Sequence, residues 1–102
     1  MAGRSSVRTV RAGRQVGENL ATWRKLQSLT AEQVAERAGI SRATLSKLEH
    51  GDLGVGTGVL LEVLRALGQL DAVVTATDPL QSDLGRLRAG QAIPQRVRSP
   101  RA

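Results

Sequence analysis

The sequence predicts an all-α domain, a bundle of four to five short helices, and three observations point there. Apolar residues recur at helical spacing in separate stretches. Capping residues and glycines punctuate the boundaries between them. Only one short segment, residues 70–77, has a strand-like composition.

Taken in order, Val16, Leu20, Trp23 and Leu26 mark a first amphipathic helix over 14–27, which Gly17 weakens slightly. Residues 1–13 are polar and Arg-rich with no sustained period, and are expected to form a flexible basic arm. Thr30, with Gln33 three positions on, makes a capping box for a second helix over 31–38, with Val34 and Ala35 inward. Gly39 stands where a left-handed backbone is needed to stop it. Ser41 then caps a third helix over about 42–50, with Leu45 and Leu48 inward and Gly51 closing it. A glycine-punctuated loop leads to a fourth helix near 57–67, whose apolar set is Leu60, Leu61, Val63, Leu64 and Leu67.

The segment LDAVVTAT at 70–77 stays open: Val73, Val74, Thr75 and Thr77 favour a strand, while Leu70, Val73 and Val74 also suit a short helix. Asp78-Pro79 breaks whichever forms. Beyond it, Leu80, Leu84 and Leu87 suggest a weak amphipathic helix, and the final IPQRVRSPRA is expected to be mobile.

Composition removes several function classes. At 102 residues there is room for one modest core. With no cysteine and a single histidine, His50, neither a disulfide framework nor an ordinary zinc site is expected, and no cofactor is implied. No apolar run approaches the ~20 residues that span a bilayer, and the N-terminus lacks the apolar stretch of a secretory signal. The expectation is a cytoplasmic protein that is not an enzyme, since no nucleophile, base and orienting group fall together.

The net charge is +6, unevenly spread. Residues 1–14 carry four arginines and no acid, residues 15–77 six basic and seven acidic groups, and residues 78–102 five arginines against two aspartates. Basic arms around a near-neutral globule fit a polyanionic partner, with solubilising tails as the alternative. Trp23 is the only aromatic residue. Single-strand and RNA readers stack bases on aromatic rings, so duplex DNA is the better match. Trp23 itself is expected in the core.

The informative stretch is TAEQVAERAGISRATLSKLEHG, residues 30–51. Ala35 is small enough for two helices to cross closely, Gly39 allows a sharp turn, and Val34, Ile40, Leu45 and Leu48 hold the second helix of the pair from inside. Its other face is then free to project outward, as a major-groove reader requires.

These residues resemble the Xre family of helix-turn-helix regulators, the group of the lambdoid repressor and Cro domains. The likeness rests on Leu29-Thr30, Val34-Ala35, Ala38-Gly39-Ile40-Ser41, Thr44-Leu45-Ser46, Leu48-Glu49 and Gly51, and continues to Ala66-Leu67-Gly68. It implies a lambda-repressor-like bundle working as a homodimer on a palindromic operator in double-stranded DNA. It also implies base reading by Arg42, Ala43 and Lys47, with Arg42 bidentate to guanine. Phosphate contacts fall to Ser41, Thr44 and Ser46, and the basic arm adds Arg14. Where many family members carry a glutamine at the start of the second helix, this chain has Ala31, which puts that backbone contact in doubt. Glu49 is expected in a structural hydrogen bond or ion pair, and His50 in a capping role at the helix end.

A looser likeness is to HipB-type antitoxins, which accompany a HipA-type kinase toxin and repress their shared operon. It rests on the core being followed by Leu70–Thr77 and a short Arg-rich tail, and it implies that 70–77 can be a strand pairing across the dimer, with 70–78 a dimerisation segment after the domain at 14–69 and before a basic tail at 79–102. The alternative is a stand-alone regulator without a toxin partner; an interaction-only module is a third reading. Salt-dependent DNA affinity separates the last from the others.

Overall fold

The computed structural model describes residues 4–91. Residues 92–102, which include all of the IPQRVRSPRA stretch expected to be mobile, and the first three residues of the arm lie outside that range. The described chain is helical throughout, and among the described residues there is no strand. It divides into two units, one reaching to Leu70 and one beginning at Asp71.

The first unit holds four helices: α1 (Val7–Leu26), α2 (Ala31–Ala38), α3 (Arg42–Glu49) and α4 (Thr57–Ala66). Their boundaries follow local chemistry. The Thr30 hydroxyl accepts the Gln33 backbone N–H at 3.0 Å, and the Gln33 side chain accepts the Thr30 N–H at 2.9 Å, so the capping box is complete. Gly39 ends α2 at φ +73°, a left-handed conformation that a side chain at this position would strain. Ser41 caps α3 by accepting the Thr44 N–H at 3.1 Å.

The core is built from Leu20 of α1, Val34, Ala35 and Ala38 of α2, Leu45 and Leu48 of α3, Val63 and Leu64 of α4, and Leu67 just beyond it. It contains no buried polar or charged residue among those described. Helix α2 packs on both α3 and α4, and α1 lies across α3. At that crossing Gly17 approaches so closely that a Cβ would sit 2.6 Å from the Leu48 carbonyl oxygen. A glycine that weakens the helix locally is therefore what lets α1 reach α3.

Two expectations are corrected here, and one left open is decided. Helix α1 starts at Val7, so the expected flexible arm over 1–13 is ordered helix from there on. The cause is Ser6, whose hydroxyl accepts the Thr9 N–H at 3.1 Å; arginine is a good helix former and does not oppose the extension. Trp23, expected in the core, is 40% exposed, and Val16 and Leu26 are exposed too, because α1 turns only Gly17 and Leu20 fully inward. The segment expected as a possible strand at 70–77 is helix α5 (Leu70–Ala76). A lone strand leaves its backbone N–H and C=O groups unpaired, whereas a helix satisfies them internally. Asp71 in the first turn suits the helix dipole, and the Thr77 hydroxyl donates to the Val73 carbonyl at 2.9 Å at the far end.

The second unit continues through a 3-10 turn (Pro79–Gln81), started by the Asp78 carboxylate accepting the Leu80 N–H, to α6 (Asp83–Gln91). The expected helix through Leu80, Leu84 and Leu87 thus begins after Leu80. All three leucines are exposed, and no residue of the turn or α6 is buried.

Candidate nucleic-acid interface

Helix α3 has two faces of opposite character. Leu45 is fully buried and Leu48 nearly so, while Arg42, Ala43, Ser46, Lys47 and His50 are exposed along the other side. The spacing of the inward pair leaves the outward stripe no alternative: residues three and four positions apart share a helix face, as Leu45 and Leu48 do inward and Ala43, Lys47 and His50 do outward. Thr44 is half-covered, and Ser41 is exposed at the N-terminus.

Two shallow grooves run along this face. One is lined by Ala31, Arg42, Ala43, Leu45, Ser46 and Glu49. The other is lined by Val10 and Arg14 of α1, by Ser46, Lys47 and His50, and by the loop that follows. Ser46 lines both, so the two adjoin at that residue. The structure therefore brings Arg42, Ala43, Ser46, Lys47 and Arg14 onto one connected surface, with Thr44 beside Lys47 on its flank.

Arg14 arrives there by packing between distant segments. Gly51, at φ +85°, lies against the α1 backbone, where a Cβ would be 2.8 Å from the Arg14 Cα. No local pattern in the sequence announces that approach. His50 is the residue the sequence reading undervalued: it caps α3, with its ring Nδ1 2.7 Å from the Ser46 carbonyl oxygen, yet it also lines the groove. Its position four residues after Ser46 and three after Lys47 was the available signal.

The hydroxyls are not equally free. Ser41 donates its proton to the Thr44 hydroxyl at 3.0 Å while its oxygen caps the helix, so the uncommitted hydroxyl proton of the pair is that of Thr44. Ala31 borders Arg42 and Ala43 without offering a side-chain donor.

Charge is arranged in the same sense. Among the described residues, ion pairs form at Arg24–Glu49, Arg65–Glu62 and Arg86–Asp83, leaving Arg14, Arg42 and Lys47 outside any pair. Glu49, which lines the groove with Arg42 and Ala43, is held by two hydrogen bonds from Arg24, at 2.9 and 3.1 Å. Donating to the Glu49 carboxylate holds the Arg24 guanidinium above its ordinary range, against the opposing effect of burial, with the carboxylate charge adding to the rise. The pair removes a negative charge that would repel a polyanion on this surface.

The class follows from the exposed third helix, the glycine turn and the family match together: the chain belongs to the helix-turn-helix domain family, whose model matches residues 15–76. A more particular relative is a Sinorhizobium fredii protein named as the uncharacterized HTH-type transcriptional regulator y4dJ. It is 41% identical over 64 residues, covering 62% of this chain and 83% of that protein. The two matches place the chain among helix-turn-helix regulators. No solved structure matches it significantly. None of the helices among the described residues is long and apolar enough to cross a membrane.

Proposed function

We propose that this protein is a sequence-specific double-stranded-DNA-binding transcriptional repressor. Helix α3 is the reading helix, entering the major groove. Arg42 and Ala43 meet base edges, with the Arg42 guanidinium bidentate to a guanine and the Ala43 methyl against a thymine methyl, and Lys47, one turn along the same face, reaches a base edge or the adjoining phosphate. Ser41, Thr44, Ser46 and Arg14 position the helix on phosphates, Thr44 with the freest hydroxyl. The supporting observation is the two-faced α3: its apolar side is sunk in the core while its exposed side carries Arg42 and Lys47 and lines two adjoining grooves, one of them shared with Arg14. The protein acts as a homodimer on a palindromic operator, its two reading helices about 34 Å apart. Residues 70–78 supply part of the dimer contact, where Val74 of α5 is exposed.

Between the two regulatory readings, the stand-alone regulator is favoured. The antitoxin reading, with a HipA-type kinase toxin as partner, drew on the Arg-rich tail and on a possible strand at 70–77, and Leu70–Ala76 is α5.

Selection from a randomised duplex pool tests the proposal. A symmetric consensus is expected, and Arg42→Ala relaxes one base pair per half-site at a cost of about 1–3 kcal/mol there. A pool that shows no enrichment overturns the reading, and an unchanged profile for the variant removes Arg42 from it.

A further inference from the structure

His50 has a geometry that capping alone does not use. A carbonyl oxygen only accepts, so the 2.7 Å contact with the Ser46 carbonyl requires the ring proton to be on Nδ1. In the neutral ring this leaves Nε2 as a bare acceptor. The groove beside it holds Arg14 and Lys47, with Asp52 on the loop side. Glu18, Arg24, Lys25 and Glu49 border His50 on its other side. The acids among them are partly committed: Glu49 is paired with Arg24, and the Asp52 carboxylate accepts the Gly54 N–H at 2.7 Å. Arg14 and Lys47 enter no ion pair among the described residues.

A phosphate oxygen in this groove meets two cationic donors and one lone pair. That lone pair repels it, as do the carbonyls at the C-terminal end of α3. One proton on Nε2 reverses both effects: it turns the acceptor into a charge-assisted donor, and it places a cation over the helix end.

We propose that Arg14, Lys47 and His50 form a single phosphate seat beside the reading helix, and that His50 takes up one proton from water when a DNA phosphate occupies it. The Nδ1–H stays on the Ser46 carbonyl, and the new Nε2–H donates to the phosphate oxygen. This rests on the duplex-DNA reading above and adds to it a residue and a linked proton.

The experiment uses the full chain and a fluorescein-labelled mixed-sequence duplex of about 30 base pairs, long enough for several turns, since phosphate contacts do not depend on sequence. Affinity is read by anisotropy at fixed ionic strength, at about pH 6 and about pH 8, the span over which histidine changes charge. One linked proton changes affinity by at most about tenfold per pH unit, and a loss of at least about fivefold across the span is expected. His50→Gln, which cannot titrate, is expected to be flat. His50→Lys, permanently cationic, is expected to hold the tight binding at the higher pH. A pH dependence that persists unchanged in His50→Gln, or an absent one in the parent protein, overturns the proposal while leaving DNA binding standing. A parent protein that binds no duplex at either pH overturns the DNA reading itself.

Discussion

Two glycines in the first unit perform different tasks, and substitution separates them. At Gly17 a methyl group would sit 2.5 Å from the Glu49 carbonyl oxygen and 2.6 Å from that of Leu48. Both are backbone atoms, so α1 and α3 must move apart to admit it. Gly17→Ala is expected to cost about 2 kcal/mol or more by overpacking, seen as a fall in the urea midpoint. At Gly39 nothing lies within 4 Å of the added atom, and only the positive φ resists it. Gly39→Ala is therefore expected to cost about 1 kcal/mol. The reverse ranking would show that the α1–α3 crossing is looser than described. Gly39 was legible in the sequence because its neighbours Ala38 and Ser41 are themselves a stop and a start. Gly17 was not, because its reason is the end of a helix far along the chain.

At the scale of elements, the link between α1 and α3 is the Arg24–Glu49 pair, with side chains only 15% and 12% exposed. Glu49→Ala leaves a largely covered guanidinium without its partner, and a loss of about 2 kcal/mol is expected on chemical denaturation. Because pairing raises the Arg24 value, its contribution is present from neutral pH up to the ordinary arginine range, and on the alkaline side it is lost only in strong alkali. A stability loss that appears for Glu49→Ala near neutrality but vanishes in moderately alkaline buffer would contradict this. Helix α1 also shows how a boundary escapes periodicity. Its first two turns carry arginines and small residues with no buried side chain, so no hydrophobic stripe marks them. The Ser6 cap does, and Ser6→Ala is expected to fray the start of α1 at a cost of about 1 kcal/mol, read as lost helicity by circular dichroism.

At the scale of the molecule, the first unit has a dry apolar core and the second has none among its described residues, from Asp71 to Gln91. Exposed Val74 belongs to the segment proposed for pairing two copies. Val74→Glu is expected to lower the dimer fraction in sedimentation equilibrium and to weaken operator binding at low protein concentration. Monomeric behaviour of the parent protein with undiminished operator affinity would remove the dimer from the proposal. The salt dependence of binding belongs to the whole surface: Arg14→Gln is expected to reduce the slope of log affinity against log salt by about one, with the preferred sequence unchanged.

By itself the sequence determined α2, the turn, α3 and the outward stripe of Arg42, Ala43, Ser46 and Lys47. Caps, turn glycines and helical spacing act over a few residues and can be read locally. Tertiary structure decided what depends on distant partners: which face of α1 is buried, the exposure of Trp23, the delivery of Arg14 and His50 to one groove, and the helical state of 70–76. In that last segment β-branched residues favour a strand, but the described chain supplies no second strand to pair with it, and the helix closes its own hydrogen bonds.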